Sequence, residues 1–321
     1  MRFFKKTIFW VIILAAIGGS FYIFDRKMED KKAQEELQRR LFLFRPSDVV
    51  SFTIKRRGED VVKQARRTED GWVVTAPVEA AGDGEEIEAF LRNLVDARMD
   101  AVLFDEAPAE KLEEMGLADP YLVVELRTDS FTRTVRFGDK GPTHNVAFAM
   151  IEGDPRVLRI HSDIMTDSDL DLYDLRDKSI VRFEPTRVKS FDVRWRDGTR
   201  VFVEHPKEGV WNALELPEGR TDFVKVMELL VQLKKGKVKA FVDEAPEDPA
   251  AYGMDDPRVR IVFHDEHGVR HTLEIGARDK VNRGYYARRG GEQAVFSVEE
   301  VLYNAIPRKV TDLEVKDDEE S

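Results

Sequence analysis

The chain has 321 residues, 35% of them charged, a net charge of -11 and a mean hydropathy of -0.42. It contains no cysteine, which excludes disulfides, thiol catalysis and cysteine-based zinc sites. The length suits two folded units, and 42% hydrophobic residues supply ample core.

Residues 7–24 carry no charge. As a helix they would extend about 27 Å, at the short end of what crosses a bilayer core. Arg2, Lys5 and Lys6 precede them without an acid, whereas a mixed set from Asp25 to Lys32 follows. Basic residues are retained on the cytoplasmic side, so the expected topology has the amino terminus inside and the bulk exported. Trp10 and Tyr22 stand near the two ends, where amphipathic rings favour the interface. A cleaved signal peptide is the competing reading, given the small residues Ala15, Ala16, Gly18, Gly19 and Ser20. Cleavage after Ser20 would leave an apolar free end starting at Phe21, and no clean Ala-x-Ala site exists, so a retained anchor is preferred.

Residues 1–32 hold seven basic and three acidic side chains, leaving 44 against 59, or -15, in the remainder. Such a region is a poor nucleic-acid binder, because phosphate contacts need a basic surface. Residues 25–40 lack Gly, Pro and β-branched residues and read as a helical stalk or a solvated linker.

From Leu41 the texture changes. Residues 49–55 alternate as a strand, and 71–76 form another that Pro77 stops. Asp83 can cap a helix, with Glu86 three residues on. Ile87, Phe90, Leu91, Leu94 and Val95 then share one helical face.

The pattern repeats. Phe44, Pro46, Val49, Ser51 and Phe52 correspond to Phe183, Pro185, Val188, Ser190 and Phe191. Trp72 matches Trp211, and Asp83, Ile87, Leu91 and Leu94 match Asp222, Val226, Leu230 and Leu233. Asp105 to Pro108 matches Asp243 to Pro246, and Gly116 to Pro120 matches Gly253 to Pro257. Gly138 matches Gly276, and Phe148 matches Tyr286. The offsets lie between 137 and 139, a domain-sized tandem duplication.

The change of offset has a local cause. Pairing Val259 with Ile275 and Ile261 with Leu273 sets Phe263 opposite His271 and leaves Glu266, His267 and Gly268 as a three-residue loop. Pairing Leu122 with Phe137 and Val124 with Val135 leaves only Asp129 and Ser130. Strands over 146–151 with 157–160, and 284–288 with 294–298, complete the copies. The expected fold class is α+β: an N-terminal transmembrane helix (1–24 with its cytoplasmic tip), a stalk (25–40), and two repeats (41–180 and 181–313) of mostly antiparallel sheet with packed helices. An acidic tail over 314–321 is expected to be disordered.

These landmarks resemble the domain-of-unknown-function 4340 family. The likeness rests on the anchor, the Phe-x-Pro-x-x-Val strand, the tryptophan turns and the Gly-x-x-Asp-Pro element. It rests also on Leu273 to Gly276 leading to Tyr285 to Arg288 and on to Ala294, Val295 and Phe296, and it covers about 41–312. The first copy departs from it, with Asn145 to Phe148 where the second has Tyr285 and Tyr286. The resemblance implies a single-pass protein of the bacterial inner membrane with a periplasmic bulk, accessory to an ABC-type transporter of the gliding-motility kind. It implies no catalytic residues.

Direct chemical signals are weak. His264, His267 and His271 could suggest a metal, but the hairpin register puts His264 opposite Arg270, His271 on the face of Leu273, and His267 at the loop tip, so they do not converge. Asp167, Asp169, Asp171, Asp174 and Asp177 lack the EF-hand pattern and read as a solvated acidic turn. Asp105 and Asp243 read as turn or cap residues, Gly116 and Gly253 as left-handed helix ends, and Trp72 and Trp211 as core. Arg283, Tyr285, Tyr286, Arg288 and Arg289 form one cationic-aromatic stretch, readable as an interface patch or as an alternating strand. No catalytic, cofactor or metal residues are assigned. The expected function is a non-enzymatic, membrane-anchored extracytoplasmic binding subunit. The alternatives are an envelope hydrolase or carbohydrate-active protein with an acidic cleft, and a purely structural envelope protein.

Overall fold

The computed structural model describes residues 26, 28, 31–32, 34–143 and 145–315. The expected span over 7–24 and residues 316–321 of the expected tail lie outside the described residues, whereas Glu314 and Val315, expected to be disordered, pair with Thr221 and Arg220. Among the described residues no helix is long and apolar enough to cross a membrane. Residues 26, 28, 31–32 and 34–39 of the expected stalk are helical.

Two compact units follow, Met1–Asp177 and Lys178–Ser321. In the first, β1 (Val49–Arg56), β2 (Lys63–Thr68), β3 (Gly71–Ala76) and β4 (Ala80–Ala81) lead to helix α1 (Gly84–Val95). Then come β5 (Met99–Phe104), α2 (Ala109–Glu114), β6 (Leu122–Thr128), β7 (Thr132–Lys140), β8 (Val146–Ile151), β9 (Val157–His161), α3 (Ser162–Ser168) and α4 (Leu172–Leu175). The sheet order is β4-β3-β2-β1-β6-β7-β8-β9-β5.

The second unit has β10 (Val188–Trp195), β11 (Arg200–Lys207), β12 (Val210–Ala213), α5 (Phe223–Lys235), β13 (Ala240–Asp243), β14 (Val259–Asp265), β15 (Arg270–Asp279), β16 (Gly284–Arg289), β17 (Val295–Glu299) and α6 (Glu300–Ala305). Its order, β12-β11-β10-β14-β15-β16-β17-β13, repeats the first without the β4 edge. Every named pairing is antiparallel, so each unit is an antiparallel α+β fold.

The hairpin registers are those expected. Val259 faces Ile275 and Phe263 faces His271, while Leu122 faces Phe137 and Val124 faces Val135. Gly268 takes φ +75, which the three-residue loop requires. Unexpected are β5 and β13. In each unit the chain leaves one sheet edge at the tryptophan hairpin, crosses one face as a helix, and pairs at the opposite edge. The crossing helix covers one face of each sheet; on the other face of the first unit Met115 and Leu117 pack with Val157, Phe148 and Met150 in a smaller cluster.

Asp83 accepts from Glu86 N–H at 3.3 Å and Asp222 from Val224 N–H at 2.9 Å, capping the crossing helices. Ile87, Phe90, Leu91, Leu94 and Val95 are buried as the periodicity requires, against Phe52, Ile54, Ala65, Trp72 and Val74. Val226, Leu229, Leu230 and Leu233 do the same on Phe191, Val193, Val203 and Trp211. Each fully buried large side chain contributes roughly 1.5–3 kcal/mol of transfer free energy. Trp72 and Trp211 are core residues at 5% and 3% exposure. Their polar edges differ: Trp72 Nε1–H donates to Glu88 at 2.9 Å, whereas Trp211 stacks on His205 with ring centroids 4.4 Å apart.

Candidate functional site

In the second unit the crossing helix covers one sheet face, and polar side chains occupy most of the other beyond the 253–257 element. On the open face of the second unit this produces a repeated arrangement. Asp192 on β10 is 5% exposed. Its carboxylate accepts from Arg200 Nε at 2.8 Å and Arg194 Nη2 at 2.6 Å. Glu274 on β15, 7% exposed, accepts from Arg260 Nε at 2.7 Å and Arg288 Nη2 at 2.7 Å. Each carboxylate is thus gripped by two guanidiniums. Arg194 lies directly opposite Arg260 across β10 and β14, a repulsive pairing relieved because each turns to its own carboxylate. Four arginines against two acids leave a positive excess on this face, although the chain as a whole is acidic.

Burial alone would push the Asp192 carboxyl up. The Arg200 and Arg194 guanidiniums outweigh it and hold the group below the ordinary carboxylate value. A depressed folded pKa stabilises the fold above the ordinary carboxylate range, and that contribution disappears as pH falls through the folded value. Asp192→Asn should therefore flatten the loss of stability below about pH 4, measured by urea unfolding at pH 7, 4 and 3. An acid limb as steep as that of the parent would refute this role.

The first unit is an internal control. By the matched registers Thr53, Lys55 and Val62 replace Asp192, Arg194 and Arg200, while Val123, Arg136 and Met150 replace Arg260, Glu274 and Arg288. Neither bracket exists there; Arg136 instead reaches Glu152 at 3.0 Å. The first unit's own ionic hub is Arg56, gripped by Asp169 at 2.6 Å, Asp171 at 2.9 Å and Glu59 at 2.5 Å, with the Tyr121 hydroxyl donating to Asp169 at 2.7 Å. The corresponding position of the second unit is Trp195, edge-on to Tyr303 and under Arg308.

The Asp167–177 run is not merely a solvated turn: Asp169 and Asp171 clamp Arg56, because the chain after α3 returns across the end of β1. His264 lies near Ser190, His271 near Asp265 and His267 near Glu266, and no metal-holding group occurs among the described residues. Asp243 serves its turn, accepting from Ala245 N–H at 3.1 Å and the Tyr252 hydroxyl at 2.9 Å. Gly116 and Gly253 take φ +67 and +70. The stretch from Arg283 to Arg289 is no single patch, because β16 alternates. Tyr285 stacks on Tyr303 in the core, and Arg289 donates to the Ser179 carbonyl. Arg288 points to Glu274 on the open face, and Tyr286 packs edge-on against Tyr252.

Sequence reasoning missed both arginine brackets. The register it supplied already places Arg260 opposite Glu274; Arg288 depends on the bulged β15–β16 pairing.

Residues 72–224 and 211–317 each match the family described as "Domain of unknown function (DUF4340)". The two matches start at Trp72 and Trp211, equivalent positions, so the family repeat is phased from one tryptophan hairpin to the next. The compact units instead divide after Asp177. No curated protein and no solved structure matches the chain.

Proposed function

We propose that this chain, which belongs to the DUF4340 family and carries its module twice, is a non-enzymatic accessory or binding subunit of an ABC-type transporter complex. In this reading residues 7–24 anchor it in the bacterial inner membrane with the amino terminus cytoplasmic and both units periplasmic. The observation that carries the reading is the open sheet face of the second unit, a display of arginines held in place by two buried carboxylates. Flat polar sheet faces built on a packed core suit recognition of a partner or ligand.

The hydrolase alternative needs a carboxylic acid held protonated near neutral pH. Among the described residues, all eight carboxylates with a resolved shift move down. Arginines and lysines, the Thr199 hydroxyl at Asp197, Asn282 at Asp279, and backbone N–H groups with His271 at Asp265 keep these eight ionised, so none of the eight is a candidate acid.

Affinity purification of the full chain from membranes in a mild neutral detergent should bring down a transporter permease and its ATPase in fixed ratio. Recovery of the chain alone in several detergents would overturn the proposal.

A further inference from the structure

Beside the Glu274 bracket lies an open concavity of about 600 Å³. Arg260, Arg270, Thr272, Glu274, Arg288, Gly290, Gly291 and Glu292 line it. We propose that it is a binding site for a phosphate group, carried either by a small organic molecule such as a lipid headgroup or by free inorganic phosphate. This deepens the binding reading given above and rests on it.

The charge balance is the first reason. Arg260, Arg270 and Arg288 face Glu274 alone, because Glu292 is already engaged by Arg182 at 3.0 Å and Arg289 at 2.9 Å. Two positive charges remain, matching a phosphate dianion. Preorganisation is the second. Glu274 is buried and takes the Nε side of both Arg260 and Arg288, at 2.7 and 3.0 Å. That fixes both side chains; Arg260 keeps the two terminal nitrogens of its planar fork for a ligand, and Arg288 keeps Nη1, because its Nη2 bonds both Glu274 and the Met254 carbonyl. Such forks match tetrahedral oxyanions in two-point contacts. The third is Arg270, at the end of β15, which is exposed and makes no ion pair among the described residues. An arginine needed for the ligand rather than for the fold would look like this.

The floor is closely fitted. A side chain at Gly290 would put its Cβ 2.5 Å from the Thr272 Cβ, so the turn after β16 must approach β15 without one. The internal duplicate supplies the contrast. At the positions of Arg260, Arg270, Glu274 and Arg288 the first unit has Val123, Thr132, Arg136 and Met150, which cannot form the same cradle. The arrangement therefore belongs to the second copy and is not a by-product of the shared fold.

Calorimetric titration of the full chain in a neutral detergent at low ionic strength tests the site, with inorganic phosphate and glycerol 1-phosphate as the two probes. Saturable binding of at least one is expected, weakening as salt is raised. Tighter binding of glycerol 1-phosphate identifies a headgroup-like organic phosphate, and equal or tighter binding of inorganic phosphate identifies the free ion; both support the site. Arg270→Gln, which leaves the Glu274 bracket intact, should weaken binding about tenfold, the size expected for one charge-assisted contact. Arg136→Gln in the first unit should leave it unchanged. Absence of saturation by either probe at 10 mM, or an unaltered affinity in Arg270→Gln, overturns the proposal. Because the titration needs no transporter partner, it can fail while co-purification succeeds, and the reverse.

Discussion

Gly276→Ala should destabilise the second unit by about 3 kcal/mol, and Gly138→Ala should do the same to the first. Neither glycine has a left-handed φ, so the reason is space. A Cβ on Gly276 would overlap the Tyr252 carbonyl oxygen and lie 2.7 Å from Met254 Cε and 2.9 Å from the Gly253 carbonyl oxygen. On Gly138 it would overlap the Met115 carbonyl oxygen. In both copies the main chain of the Gly-x-x-Asp-Pro element lies directly on the strand, and Asp139 N–H donates to the Met115 carbonyl at 2.8 Å. Backbone cannot rotate away as a side chain can, so the strand itself must shift. Urea unfolding reads the loss. Gly84→Ala, at the start of α1 with nothing within 4 Å, is the control and should be neutral or slightly stabilising. Parent-like unfolding of Gly276→Ala would show that this contact does not constrain the fold.

Asp279→Ala should cost about 2–4 kcal/mol, the range for stranding several buried donors. Asp279 is completely buried at the end of β15. It accepts from Val281 N–H and Asn282 N–H, both at 3.0 Å, and from Asn282 Nδ2 at 2.7 Å. These bonds close the loop in which Arg283 adopts φ +53, a conformation a non-glycine residue holds only when its surroundings impose it. Burial would raise the Asp279 carboxyl, but the donors from Asn282 and Val281 outweigh it and hold the group below the ordinary value. Its contribution is therefore full at neutral pH and lost as pH falls through the depressed folded value. Asp279→Asn keeps one acceptor for the two backbone donors and should lose less than alanine at pH 7. Equal losses for the two variants would show that the loop does not depend on this acceptor.

The crossing helices, their aspartate caps, the two central hairpins and the duplication were legible because they rest on short-range patterns. Ile87, Phe90, Leu91, Leu94 and Val95 repeat at the helical period, and a hairpin register follows from two alternating runs and their loop. Strands β5 and β13 were not legible. Residues 99–104 and 240–243 lie at sheet edges, alternate poorly in burial, and pair with β9 and β17 more than fifty residues later in sequence.

Hydrophobic period and repetition are local or self-referential, so the tandem duplication of a mostly antiparallel α+β module behind an apolar segment is written in the residues themselves. Which face of the second sheet carries the arginine brackets depends instead on long-range packing. Arg260, Glu274 and Arg288 come from three strands, and open-face side chains follow no hydrophobic period that would announce them. Their arrangement depends on how far the covering helix reaches and on a bulge in β15–β16, both consequences of long-range packing.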